Sequence, residues 1–318
     1  MKEDPPILLI IFNRVTHTQR VFDEIKLQRP SKLFISADGP RPEIKDDVSS
    51  CETTRSIIEQ INWQCELHKL YHTENIGCRK AVIGAIDWFF EYVEEGVILE
   101  DDCLPSRSFF SFCGEMLERY KKNSIIMHIN GTCYIEGYSV LNASYYFSKL
   151  SGCWGWATWK RAWQLNDPSM TGYRDMKKNG ELLKYYKNPK ICSWITSYYD
   201  EAVMPSCKIW STVWAYAILK NNGLCINPTV NLVQNIGFDE AGTTKAYKSF
   251  TVYSNYSAKN ISEIIHPKHI CHDVDADVIY YNSVIKKTDP KCGMKYRFIK
   301  RLKALTNKLV KSPKQTIK

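Results

Sequence analysis

The sequence predicts an α/β protein built on a doubly wound, parallel or mixed sheet with helices on both faces, and three observations predict it. Over the first hundred residues, short apolar runs alternate with segments of helical period. The apolar runs are unbroken rather than alternating, as expected of strands buried on both faces. The segment ends are polar or glycine-bearing, at Asn13-Arg14, Asp38-Gly39, Asn75-Gly77 and Glu100-Asp102. In such sheets ligands bind outside the carboxyl ends of the strands.

Taken in order, the first strand covers residues 7–12, and a helix follows over 16–27 with Val21, Phe22 and Ile25 on one side. A second strand at 33–36 ends in Ala37-Asp38-Gly39-Pro40, and a helix spans 50–61. A third strand at 67–71 precedes a strong helix at 77–92 with Ala81, Ala85, Trp88 and Phe89 inward. A fourth strand at 96–99 runs straight into Glu100-Asp101-Asp102. Beyond residue 106 the pattern changes: a helix at 106–121, a strand near 125–129, helices at 180–187, 191–203 and 211–221, and short strands at 224–227 and 230–234. Between them lies an aromatic, glycine-bearing stretch, Gly152-Cys153-Trp154-Gly155-Trp156-Ala157-Thr158-Trp159. Residues 1–290 therefore read as one domain with halves at 1–105 and 106–290, and residues 291–318 as a basic helical tail.

The chain of 318 residues carries a net charge of +9. Ten Lys or Arg and no acid fall in residues 291–318, which leaves the first 290 residues near −1. A near-neutral domain argues against nucleic-acid binding by the fold itself. In the tail, Phe298, Leu302, Leu305 and Leu309 form one helical stripe flanked by lysines, a pattern suited to an anionic membrane surface. No run reaches the length of a membrane span, and twelve cysteines at irregular spacing contain no Cys-x-x-Cys pair. The reading is a reducing cytosol, with the tail at the inner face of the membrane.

The sharpest chemical feature is Glu100-Asp101-Asp102. Adjacent acids repel, so a fold keeps them together where a cation or strong hydrogen bonds offset the charge. Hard divalent ions such as Mn²⁺ and Mg²⁺ take oxygen ligands and combine one or two carboxylates with diphosphate oxygens and water. Trp154 and Trp156 are candidates to stack on a sugar ring, and the alternative is a hydrophobic wedge, preferred for Trp159 and Trp163. His266, His269 and His272 lack a zinc spacing, and Pro267 breaks a helix there. They are expected in a loop that packs back near the site.

The stretch from Val97 to Phe110, with its acidic triplet, Pro105 and Phe109-Phe110, resembles the DXD-like metal motif of GT-A glycosyltransferases, in the style of the N-acetylglucosaminyltransferase I type. Around it, Phe12-Asn13-Arg14, Ser36-Ala37-Asp38-Gly39-Pro40-Arg41, Asn75-Ile76-Gly77-Cys78-Arg79-Lys80, Gly155-Trp156-Ala157-Thr158-Trp159 and Asn231-Leu232-Val233-Gln234-Asn235-Ile236-Gly237-Phe238 resemble bacterial nucleotide-diphospho-sugar transferases. The likeness covers about residues 6–245. It implies a GT-A fold and a UDP-sugar donor, with Arg14 beside the nucleotide and Asp38 accepting from the base. It places Asn75, Gly77, Arg79 and Lys80 near the diphosphate, makes Asp102 the metal ligand, and has Asp101 hold the donor sugar or ribose. It further implies inverting hexosyl or N-acetylhexosaminyl transfer to a glycan or lipid-linked acceptor.

The acid that should take the acceptor proton is missing from its expected place, which Ser211 occupies. Glu201 or Asp200 upstream, and Asp239 or Glu240 in Gly237-Phe238-Asp239-Glu240, are the candidates, with Glu201 and Asp239 ranked equally. Thr244 stands where related sequences often have a histidine. Two rivals remain. One is a non-catalytic, nucleotide-sugar-binding or glycan-binding relative. The other is a sugar nucleotidyltransferase, against which the first strand's exit, Phe12-Asn13-Arg14-Val15-Thr16, has no glycine.

Overall fold

The computed structural model describes residues 4–138, 143–238 and 256–292. Four parallel strands form one side of an eight-stranded sheet: β1 (Ile7–Ile11), β2 (Lys32–Ala37), β3 (Glu66–Tyr71) and β4 (Glu95–Glu100). They are linked by α1 (Val15–Gln28), α2 (Asp47–Ser56) and α3 (Cys78–Tyr92). After β4 the chain forms β5 (Cys103–Pro105), α4 (Arg107–Tyr120), β6 (Ile126–Asn130), β7 (Tyr145–Ser148) and β8 (Trp156–Trp159). Short helices α5 (Lys160–Trp163), α6 (Tyr173–Lys178) and α7 (Glu181–Tyr186) lead to α8 (Pro189–Ala202) and α9 (Ser211–Lys220). Strands β9 (Leu224–Pro228) and β10 (Val233–Asn235), then α10 (Val274–Tyr280), complete the described elements used below.

The sheet order is β3-β2-β1-β4-β8-β6-β9-β7, and β5 pairs with β10 in a separate ribbon. It is mixed, because β8 runs antiparallel between β4 and β6, and β7 antiparallel to β9. From β1 the chain winds outward to β2 and β3, then returns to β4 on the other side of β1. The reversal opens a crevice at the carboxyl ends of β1 and β4, the place where such sheets bind ligands.

Side-chain alternation divides the core. Ile7, Leu9 and Ile11 face α1 and α4 with Val21, Phe22, Phe109 and Met116, and Leu8, Ile10 and Ile98 face α3 and α9 with Ala85, Phe89 and Trp214. A third cluster, outside the sheet, joins α6–α9 through Tyr173, Tyr186, Tyr199 and Tyr216.

The expected strands at 7–12, 33–36, 67–71 and 96–99 form within a residue or two. Three short strands were not anticipated. β8 arises inside the aromatic stretch expected to line a sugar site, and Trp159 closes that strand at the start of α5. The histidine loop also differs from expectation. His272 bridges Phe147 on β7, the far edge of the sheet, and pairs with Asp277 at 2.7 Å, while His266 Nδ1 lies 3.0 Å from the Tyr145 hydroxyl. The His266 and His272 rings thus have local partners at that edge, away from the β1–β4 crevice. Among the described residues, no helix is long and apolar enough to cross a membrane. Residues 293–318 of the tail lie outside the described residues.

Candidate functional site

The register sets Ile10 beside Glu100, so Arg14 and the acids leave adjacent strands together. Arg14 straddles two of them. Its Nε donates to Asp101 Oδ2 at 3.2 Å, its Nη2 to Asp101 Oδ1, and its Nη1 to Asp102 Oδ2 at 3.0 Å. Arg14 and Asp102 side chains keep 17% and 18% of their surface exposed against 4% for Asp101, so Asp102 is the acid that opens outward. Two carboxylates thus meet one guanidinium, with Glu100 next to them in the chain. Burial, reinforced by mutual repulsion, pushes Glu100 above the usual carboxylate range. Burial raises Asp101 likewise, and Arg14 pulls it back. Burial opposes the charge on Arg14, but Asp101 and Asp102 more than restore it and raise its pKa.

The β5–β10 ribbon and the turn after it close one wall. Ile236 N–H donates to the Asp102 carbonyl at 2.8 Å, and the His17 ring contacts the Ile236 carbonyl at 3.2 Å. Gly237 lies against the acid: a Cβ there would collide with Asp102 Oδ2 and come within 2.9 Å of Arg14 Nη1. Glycine at 237 was part of the sequence pattern but carried no assigned role, and this close approach supplies one.

Asp38 departs from the expected role of meeting a base. Its carboxylate accepts from Gly39 N–H at 2.8 Å, Ile76 N–H at 2.9 Å, Asn75 Nδ2 at 3.0 Å and Gly77 N–H at 3.1 Å. Four donors fill the lone-pair positions of a carboxylate, so Asp38 fixes the Asn75–Gly77 turn instead. Gly77 holds φ +85°, a backbone state that favours glycine, and opens α3 without any side-chain cap. Its first residue, Cys78, lies within electrostatic reach of Glu100, Asp38, Asp101 and Asp102. The turn and the uncapped helix therefore border the acids.

Arg79 also departs from expectation. Its guanidinium donates to the carbonyls of Ala202 at 3.0 Å, Cys207 at 3.4 Å and Pro168 at 2.8 Å, so it ties α3 to the end of α8 rather than facing a diphosphate. Lys80 is exposed on the first turn of α3.

The two tryptophans separate. Trp156 is fully buried, stacked on His128 at 4.9 Å and on Trp210 at 5.9 Å, which removes it from any sugar contact. Trp154 is half-buried and meets Tyr134 and Phe238 edge-on at 5.8 and 5.4 Å, next to the Gly237 turn. Its loop hangs from the neighbouring strand. Asn130 Oδ1 accepts from Gly152 N–H at 2.5 Å, and Gly131 N–H donates to the Gly155 carbonyl at 2.8 Å. Trp214 Nε1 donates to His128 Nδ1 at 3.0 Å, so the His128 proton sits on Nε2, facing Asn130 Oδ1 at 2.7 Å and the Gly152 carbonyl at 2.8 Å. Burial holds that imidazole down at a pKa of about 4.

Of the proposed bases, Glu201 forms an ion pair with Lys291 at 2.5 Å on an exposed part of α8, which engages its carboxylate. Its neighbour Asp200 accepts from the Tyr173 hydroxyl at 2.8 Å and from Lys177. Ser211 lies near Cys153, whose thiol is within electrostatic reach of Glu100 and Asp102. Asp239, Glu240 and Thr244 lie outside the described residues.

A second network was missed in the sequence. Asp47, buried at the start of α2, accepts from Asn13 Nδ2 at 2.5 Å and from Arg41 N–H, Nε and Nη2 at 2.8, 2.9 and 2.9 Å. The hydrogen bonds from Arg41 push its pKa down to about 2. Arg41 also lies over the Phe12 ring at 5.1 Å. Phe12, Asn13 and Arg41 were visible as strand-end residues, whereas Asp47 sits in a polar run that gives no signal.

No family model matches the chain, and no curated protein does. Solved structures similar to it include HddC from Yersinia pseudotuberculosis, at 9% identity and a TM-score of 0.30 over 49% of this chain and 77% of that one. A UDP-glucose pyrophosphorylase complexed with UDP-glucose aligns at 12% identity and a TM-score of 0.25, over 50% of this chain and 70% of that one. A 4-diphosphocytidyl-2C-methyl-D-erythritol synthase from Anaerococcus prevotii DSM 20548 aligns at 11% identity and a TM-score of 0.29, over 68% and 96%.

Proposed function

We propose that this protein is a metal-dependent glycosyltransferase, moving a sugar from a nucleotide-sugar donor, a UDP-sugar by its motifs, to a glycan or lipid-linked acceptor in bacterial surface-polysaccharide assembly. The supporting observation is the set of three carboxyls at the end of β4, two of them straddled by Arg14, at the point where the strand order reverses. The residues fit a hard dication such as Mn²⁺ or Mg²⁺. Negative charge exceeds positive there, and Asp102 opens outward. Among the described residues no three His, Cys, Asp or Glu side chains converge on a metal position. The proposed ion is held by one carboxylate together with diphosphate and water oxygens. Such an ion offsets charge on the leaving diphosphate. The chain's own part is to hold the ion through Asp102, offer the uncapped N–H groups of α3 to the diphosphate, and set Trp154 at the sugar's side.

The test is a thermal-shift screen of nucleotide sugars with and without Mn²⁺, since a ligand of the native state raises its melting temperature. A donor-specific, Mn²⁺-dependent rise that disappears in Asp102→Ala is expected. The same rise persisting in that variant sinks the metal role. Anomeric configuration of the product, read by NMR, tests inversion, and Asp239→Asn and Glu240→Gln test the remaining base candidates.

One observation favours a second reading, nucleotide-sugar binding without transfer. Ser211 stands in the acid's place, and Glu201 is paired with Lys291. Donor binding with neither transfer nor hydrolysis across acceptors supports it.

A further inference from the structure

We propose that Arg14 is a positioning residue that makes metal and donor binding interdependent: its guanidinium already engages both Asp101 and Asp102 and offsets part of their charge, so the dication enters with the diphosphate rather than alone. The proposal rests on the nucleotide-sugar reading above. Arg14 reaches Asp101 and Asp102 together, with Nε 3.2 Å from Asp101 Oδ2 and Nη1 3.0 Å from Asp102 Oδ2. The Gly237 backbone walls off the same Asp102 oxygen. Among the described residues, the remaining oxygen, Oδ1, has the Cys103 thiol beside it, at 3.5 Å. Asp102 therefore offers a dication one oxygen, on a carboxylate that already faces a positive charge. A hard dication needs about six oxygens, so the chain alone holds it weakly. A diphosphate supplies both further oxygens and the negative charge that outweighs the guanidinium. Coupling of this kind is reciprocal, so the metal tightens the nucleotide by the same factor.

The test is Mn²⁺ binding to the full chain, followed by the EPR signal of free Mn²⁺, with and without UDP. Mn²⁺–UDP association in solution is measured separately and subtracted. In the wild type, UDP should tighten Mn²⁺ at least tenfold. Arg14→Met should bind Mn²⁺ alone at least tenfold more tightly than the wild type, with reduced coupling, and Arg14→Lys, which keeps the charge, should resemble the wild type. Mn²⁺ binding in Arg14→Met that is equal to or weaker than wild type overturns the proposal. Should that variant not fold by near-ultraviolet circular dichroism, the wild-type coupling decides, and a value under twofold overturns it. UDP binding without coupling overturns only this proposal. Failure of UDP, GDP, CDP and dTDP all to bind, with or without Mn²⁺, removes the nucleotide-sugar reading and the proposal with it.

Discussion

Asp38 and His128 each hold a loop through hydrogen bonds that no other residue replaces, and their losses differ in kind. Removing the Asp38 carboxylate orphans three backbone N–H groups and leaves the Asn75 amide with the Gly39 carbonyl alone. Asp38→Ala should lower the stability measured by urea unfolding by about 3 kcal/mol, since hydrogen bonds to charged groups contribute roughly 1.5–3 kcal/mol each and partial rehydration recovers some of it. His128 acts through pH. Its folded pKa of about 4 lies below the ordinary 6.5, so the unfolded chain binds a proton that the folded chain refuses. The stability that the neutral ring contributes is complete above pH 6.5 and lost as pH falls toward 4, about 3 kcal/mol in all. Protonation would also set a second N–H against that of Trp214. Urea midpoints at pH 7 and 4.5 should drop less in His128→Gln than in the wild type. An equal drop would show that carboxylates elsewhere cause it.

At the scale of elements, the crevice depends on short pieces of backbone crossing one another. Gly237→Ala should lower the melting temperature by several degrees and remove any Mn²⁺-dependent shift, because the new methyl meets Asp102 and Arg14 directly. Trp154→Ala should weaken sugar binding and leave the fold intact. Trp156→Ala should cost about 3–5 kcal/mol as a cavity between α9 and the sheet. The first four strands and the acidic triplet were legible because unbroken apolar runs announce buried parallel strands and strand ends announce the crevice. β5, β7 and β8 were not, because strands of three or four residues have too little length to show a period. Trp154 and Trp156 looked alike in sequence because alternation over two residues separates a buried ring from a half-exposed one only once the strand is known. Arg79 and Glu201 look like site residues in sequence, yet their partners, the α8 end and Lys291, lie 90 or more residues away along the chain.

Across the whole molecule, the sheet passes without a break from the first half to the second through β8, which pairs with both β4 and β6. Tryptophan fluorescence and far-ultraviolet circular dichroism should therefore report one coincident unfolding transition. A chain ending at residue 150 lacks β8, leaves β4 as an open edge, and should fail to give a cooperative one. The basic residues of 291–318 should bring the protein down with anionic vesicles and not with neutral ones, an association lost in high salt and in a chain ending at residue 290.

Asp38 already holds the Asn75–Gly77 turn in shape with its own carboxylate, before any ligand arrives. A mouth built in advance leaves little to rearrange on encounter, so the rate of nucleotide association should be set by collision and nearly the same for different bases. Discrimination between nucleotides would then reside in how long each one stays.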